Sequence, residues 1–333
     1  MDLLSTSKNQ LIDRVSDFEN LLTAFRLCSR GKKSTGGYQH FLFNYGEKLK
    51  SIEQEIKETN NFRWSGHREF YVHDPKKRKI MAAPFRDRIV HTAIHEILNP
   101  IIDHELGART FACRIGLGNR AASIRVQKQL AMMKQERYCV KLDVQKYFAS
   151  INHEVLYNML IKEFPDSSLN KIIFSLIRSN KQLNSRGKGI PIGNLTSQLF
   201  ANFYLTGIDK KACELLEIDF AQDHFEEKAM YIRYMDDMVI IATSKDKALS
   251  VATQLVKLAK KELKLDIPDN KYIVLGNNPI PFLGYVLDDF GFRVLRRNER
   301  KFTKKITRLK KQGYNMAYLA QVKQSYEAWR DLN

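Results

Sequence analysis

Apolar residues recur at helical spacing through LIDRVSDFENLLTAFRL, which predicts a helix over residues 11–27. GKKSTGG ends it, and a second helix is expected from about Tyr38 to Thr59. REFYVHDPKKRKIMAAP alternates and turns at Asp74-Pro75, the pattern of a basic-tipped hairpin, and FRDRIVHTAIHEILNPIID is an amphipathic helix. From Tyr138 the pattern changes. YCVKLDV reads as a strand presenting Asp143 near its end, followed by helices over His153–Phe164 and Ser167–Asn180. The glycine-proline loop SRGKGIPIGN then leads into one long helix, LTSQLFANFYLTGIDKKACELL. AMYIRYM and MVIIAT are apolar strands joined at Asp236-Asp237, KDKALSVATQLVKLAKKEL is a helix, and KYIVLG is a further strand. Stripped of insertions the order is β-α-β-β-α-β, a split βαβ arrangement whose first and third strands lie side by side at the sheet centre. That topology sets Asp143 beside the Asp236-Asp237 pair.

Composition adds the partner class. The 333 residues are 44% hydrophobic and 28% charged, ordinary globular usage with enough apolar material for two or three domains. Lysine and arginine number 55 against 37 acidic residues, a net charge of +18, so the expected partner is a polyanion. A merely solubilising charge is the alternative, and an acidic surplus would serve that purpose at least as well. Cys28, Cys113, Cys139 and Cys213 show no C-x-x-C spacing and sit mostly in apolar surroundings, as reduced core thiols would. With no signal peptide pattern and no apolar run of membrane-spanning length, a cytoplasmic protein with no membrane partner is expected.

The candidate chemistry lies in YIRYMDDMVI, residues 231–240. Carboxylates gathered at a sheet rim repel one another unless cations sit between them, and hard oxygen ligands suit Mg²⁺, which takes its remaining ligands from water and substrate phosphate. Two such ions roughly 3.5 to 4 Å apart serve an in-line phosphoryl displacement. The alternative for Asp236-Asp237 alone is an ordinary turn. His91 and His95 stand one helical turn apart but lack the glutamate of H-E-x-x-H, so core or surface histidines are expected there. RRNERKFTKKITRLKK, residues 296–311, carries nine basic residues and one acidic one, and its Arg296, Arg297, Arg300, Lys301, Lys304, Lys305 and Arg308 form a phosphate-tracking surface at helical density. YLAQVKQSYEAWRDL is amphipathic, and its Tyr326 and Trp329 cap a local core or meet a partner.

Five segments, KLDVQKYFASI, GIPIGNLTSQLFANFYL, YIRYMDDMVI, NKYIVLG and FLGYVL, resemble the palm motifs of reverse transcriptases in order and approximate spacing. The hairpin DPKKRKIMAAPFRDRIVHTAI is similar to their fingers, and TFACRIGLGNRAA to the segment linking fingers to palm. The resemblance covers about residues 60 to 300. It implies an α+β right-hand polymerase: an N-terminal helical extension (1–60), fingers and fingers-palm link (61–137), a palm with a split βαβ sheet (138–285, with finger insertions about 165–190) and a short helical thumb (286–333). That remainder accommodates no maturase, ribonuclease H or integrase domain.

By resemblance Asp143, Asp236 and Asp237 are the catalytic metal ligands for two Mg²⁺ ions, with Mn²⁺ as a substitute. Arg78, with Lys76, meets the incoming dNTP; Phe148 lies under the sugar and excludes a 2′-hydroxyl; Lys271 donates a proton to pyrophosphate. As isolated residues, Phe148 reads as a buried aromatic and Lys271 as solvated surface. The I-G-x-x-x-S-Q pattern of Ile192, Gly193 and Gln198 departs from the Gln-Gly and Ser-Pro of retroviral and group II intron enzymes. It is similar to reverse transcriptases of diversity-generating retroelements, as is the opening helical arm. GLGNRAA departs from the usual Gly-Thr pair at the template contact. That subfamily implies error-prone copying of a template RNA into cDNA, directed at adenine, with an RNA-cDNA duplex and a small basic accessory protein as partners. The alternatives are another bacterial reverse transcriptase, of a retron or phage-defence system, or a non-catalytic RNA-binding protein with a polymerase-like fold.

Overall fold

The computed structural model describes residues 10–58, 63–73, 77–133, 136–180, 183, 185–268 and 273–331. The chain divides into two compact units, each assembled from separated segments. One takes Met1–Gly107, Val144–Ile208 and Val256–Ile267; the other takes Ala108–Asp143, Asp209–Leu255 and Pro268–Asn333.

The spine of the first unit is the helix Phe85–Glu105, whose Ile89, Val90, Ala93, Ile94, Leu98 and Ile102 are fully buried. Against it pack the N-terminal helices, which differ from the sequence expectation in one respect. The stretch expected as one helix is two, Leu11–Ser16 and Phe18–Ser29, because the Asp17 carboxylate accepts hydrogen bonds from the Glu19 and Asn20 amides and starts a new helix. The next helix is likewise divided, into Gly36–Leu42 and Tyr45–Lys57, since Asn44 adopts a left-handed conformation at φ 56°. Strands β1 (Arg68–His73) and β2 (Lys77–Ala82) form the expected antiparallel hairpin, with all of β1 exposed on both faces. Helices follow at His153–Glu163 and Ser167–Arg178. The long helix expected over 195–216 breaks at Leu205 into Leu195–Tyr204 and Thr206–Leu216, where the Thr206 hydroxyl takes the Phe203 carbonyl at 2.9 Å.

The second unit is built on a four-stranded antiparallel sheet in the order β4-β5-β3-β6, with β3 Tyr138–Asp143, β4 Ala229–Tyr234, β5 Asp237–Ala242 and β6 Ile273–Leu275. This is the split βαβ order expected from the element sequence. The first and third of these strands, β3 and β5, occupy the centre. Cys139, Met230, Ile232, Val239 and Ile241 project from the sheet into one core with Ala122, Val126 and Leu130 of the helix Asn119–Met132. A three-stranded meander, β7 Ile280–Phe282, β8 Tyr285–Asp288 and β9 Gly291–Val294, closes that core with Ile280, Phe282, Tyr285 and Leu287. The basic helix is Arg296–Lys311, and it buries only Ile306 and Leu309. After it, the helix Met316–Arg330 stacks Tyr326 on Phe302 at 3.7 Å and Trp329 on Tyr285 at 5.0 Å, so both aromatics belong to the local core. No disulfide forms among the described residues; Cys139 and Cys213 are buried, while Cys113 is exposed, contrary to a purely core role.

Candidate active site

Alternation along β3 puts Lys141 and Asp143 on one face of the sheet. Register carries the argument across to the neighbouring strand, because Asp143 lies opposite Asp237 on β5 and Lys141 opposite Val239. The β4–β5 connection is only Met235 and Asp236, and Met235 takes a left-handed φ of 56° to make it. The turn brings the Asp236 carboxyl within hydrogen-bonding reach of that of Asp143. Burial raises the Asp236 carboxyl to about 6, and the charges of Asp143 and Asp237 add to the rise.

Asp237 has a different neighbour. Its carboxylate forms an ion pair with Lys141 at 3.4 Å, and the same ammonium donates to the Pro281 carbonyl at 2.7 Å. Among the described residues no group of three or more His, Cys, Asp or Glu converges tightly enough to hold an ion by itself. The site is therefore a carboxyl pair, Asp143 and Asp236, with a third carboxylate held beside it by a lysine. The donor set fits a hard divalent cation: carboxylate oxygens gathered at one rim of the sheet are the ligands such an ion prefers, and it would take further ligands from water or phosphate.

The other residues singled out by sequence lie as follows. Arg78 is exposed on β2 opposite Val72. Phe148 is half-buried, edge-on to Tyr147 at 5.8 Å. Ile192 is half-buried, and its carbonyl accepts from the Met81 amide at 3.0 Å, which stitches the loop to β2. Gly193 has φ +120°, and Gln198 is exposed on the helix that follows. Asn194 of the same loop is buried beside a cavity of about 10 Å³ lined also by His91 and Thr196. His91 is a core histidine, bonded through Nδ1 to the Thr196 hydroxyl at 2.7 Å, and burial pushes it down to about 3. Arg296, Arg297, Arg300, Lys301, Lys304, Lys305 and Arg308 are all exposed. Lys76 and Lys271 lie outside the described residues.

Sequence reasoning passed over two features. Lys141 was detectable from its two-residue spacing to Asp143. The buried ion pair of Asp209 with Arg233, at 2.6 Å, was not, since nothing in the spacing links a helix residue to a strand residue that far along the chain.

The chain is also similar to several known proteins. The chain is 22% identical to the group II intron-encoded protein LtrA of Lactococcus lactis subsp. cremoris, over 72% of this chain and 49% of that protein. It is 21% identical to a putative COX1/OXI3 intron 2 protein of Saccharomyces cerevisiae, over 84% of this chain and 39% of that protein. The chain thus spans about half or less of the length of these relatives. The fold is similar to that of telomerase from Candida tropicalis in complex with a TWJ fragment of telomeric RNA, with a TM-score of 0.52 at 11% identity over 70% of this chain and 45% of the other. No helix of the described residues is long and apolar enough to cross a membrane. Residues 73–287, well over half the chain, match the pattern of the reverse transcriptase (RNA-dependent DNA polymerase) family, and the chain belongs to that family.

Proposed function

We propose that this chain is an RNA-directed DNA polymerase that extends a primer by copying a template RNA into cDNA. The observation that carries the proposal is the Asp143–Asp236 carboxyl pair at the join of the central strand and the β4–β5 turn, in a chain of this family. Divalent ions, Mg²⁺ or Mn²⁺, would supply activation of the primer hydroxyl and neutralisation of charge at the phosphate under attack. Asp143, Asp236 and Asp237 are the groups that would hold them. Asp237, restrained by Lys141, contributes negative charge to the same rim. On this reading residues 61–137 act as fingers with their link, 138–285 as palm and 286–333 as thumb, after the extension at 1–60. Lys76 and Arg78 meet the triphosphate, Phe148 excludes a ribose 2′-hydroxyl, Gln198 belongs to the nucleotide-binding loop and helix, and Lys271 protonates pyrophosphate. The exposed basic face of Arg296–Lys311 tracks the RNA-cDNA duplex through its phosphates.

Within the family we assign the chain to the diversity-generating retroelement enzymes. The support is the Ile192-Gly193 loop: an isoleucine offers volume where a glutamine would offer a hydrogen bond, and an apolar wall discriminates between paired and mispaired bases weakly. Adenine-directed errors and a small basic accessory protein follow from that assignment.

The test is primer extension on an RNA template with sequencing of the product. Asp143→Asn and Asp236→Asn abolish nucleotide addition and leave RNA binding nearly intact, because neither touches the basic surfaces. Appreciable extension by either variant overturns the catalytic assignment. A wild-type product copied faithfully opposite template adenine would return the chain to the broader class of bacterial reverse transcriptases.

A further inference from the structure

Arg233 stands on β4 three residues before Asp236, and its side chain is fully buried, as is that of Asp209 opposite it. The pair is bidentate: Arg233 Nε donates to Asp209 Oδ1 at 2.7 Å and Nη2 to Oδ2 at 2.6 Å. Asp209 is held in turn by the Tyr231 hydroxyl, which donates to Oδ1 at 2.7 Å, and by the Thr110 hydroxyl at 3.3 Å. The backbone of Arg233 is fixed as well, its amide donating to the Arg109 carbonyl and its carbonyl accepting from the Phe111 amide, both at 3.0 Å. A guanidinium locked at so many points aims its remaining nitrogen in one direction. That nitrogen, Nη1, donates to the Met235 carbonyl at 3.0 Å.

The Met235 carbonyl belongs to the peptide linking Met235 to Asp236. Anchoring its oxygen fixes ψ of Met235 and, through the planar peptide, the direction in which Asp236 leaves the turn. Met235 is a bulky residue in the left-handed region, a conformation that persists only where its surroundings impose it. For stability alone a buried ion pair is no better than a well-packed apolar pair. What an apolar pair cannot supply is a directed donor to that oxygen.

Building on the polymerase reading, we propose that Arg233, clamped by Asp209, is a positioning residue that orients the Met235–Asp236 peptide so that the Asp236 carboxylate meets Asp143 in the arrangement that binds a divalent ion.

The experiment compares Mn²⁺ binding, read by the paramagnetic signal of free Mn²⁺, in the full-length wild type, Arg233→Lys and Asp143→Asn, the last marking the contribution of the carboxyl pair. Lysine keeps the charge opposite Asp209 and has no fork with which to reach Met235 at the same time. With circular dichroism and cooperative unfolding preserved, Arg233→Lys is expected to lose tenfold or more in Mn²⁺ affinity at that site, and in the single-nucleotide addition rate, while the KM for primer-template stays put. Mn²⁺ affinity within twofold of wild type in a folded Arg233→Lys protein overturns the proposal. So does identical binding by wild type and Asp143→Asn, which would leave no ion site to position. If Arg233→Lys does not fold, the wild type decides: Mg²⁺ at the carboxyl pair should shift the Arg233 guanidinium resonance in an NMR titration, and an unmoved resonance refutes the coupling. A wild type that binds Mn²⁺ at the pair but extends no primer would sink the polymerase reading and leave the positioning comparison standing.

Discussion

Gly193→Ala should destabilise the first unit by about 3 kcal/mol, from two separable causes. Gly193 sits at φ +120°, where a side chain carries a strain of about 1–3 kcal/mol. A Cβ built there would also stand 3.0 Å from Ile80 Cγ2 on β2, tighter than van der Waals contact, and overpacking of that kind adds about 1–3 kcal/mol when the neighbour cannot retreat. Ile80 has limited room to move, because the adjoining Met81 amide is bonded to the Ile192 carbonyl. A double-mutant cycle with Ile80→Ala divides the total: removing Cγ2 relieves the contact and leaves φ untouched, so about 1 kcal/mol is recovered as coupling and the rest persists. The assay is urea unfolding followed by tryptophan fluorescence in a Trp329→Phe background, since the chain has two tryptophans and Trp64, bonded to the Ser175 hydroxyl at 2.8 Å, reports on the first unit. A Gly193→Ala protein within about 0.5 kcal/mol of wild type would refute both causes. Full recovery by Ile80→Ala would refute the backbone argument and leave the contact.

Three further outcomes are expected. Lys301, Lys304, Lys305 and Arg308 share one exposed face, so neutralising Lys304, Lys305 and Arg308 together should weaken primer-template binding irrespective of sequence and flatten its salt dependence by up to about three phosphate contacts; an unchanged slope in anisotropy titrations would move the track elsewhere. Ile192→Gln should lower misincorporation opposite template adenine without comparable loss of extension, and equal error rates in deep-sequenced cDNA would remove Ile192 from the mechanism. His91, held near 3 by burial, is neutral in the folded chain and protonates on unfolding below its ordinary value of 6.5. Its contribution is complete above pH 6.5 and falls as pH drops toward 3, by up to about 2 kcal/mol between pH 6.5 and 5; unfolding midpoints of His91→Gln should depend less steeply on pH over that window, and parallel profiles would exclude the residue.

The apolar runs of β3, β4 and β5 were legible in the sequence because a strand buried on both faces has no choice of composition. Their order in the sheet followed from connectivity, since the β-α-β-β-α-β sequence admits few antiparallel arrangements. With the order came the meeting of Asp143 and the Asp236-Asp237 turn. Local chemistry that the hydrophobic period does not register escaped: the capping carboxylate of Asp17, the left-handed Asn44 and the break at Leu205 each divide a helix whose apolar spacing runs on across the gap.

What tertiary structure alone decided is which charge answers which. Three aspartates of equal standing in the sequence become a close carboxyl pair and a lysine-held third, because the two-residue turn swings Asp236 toward Asp143 while Asp237, paired opposite Asp143, is reached diagonally by the Lys141 side chain. Asp209 and Arg233 are unremarkable letters in a helix and a strand until folding excludes water from both. In that medium an unpaired charge is costly enough to fix its partner, and the direction of the remaining hydrogen bond is fixed with it.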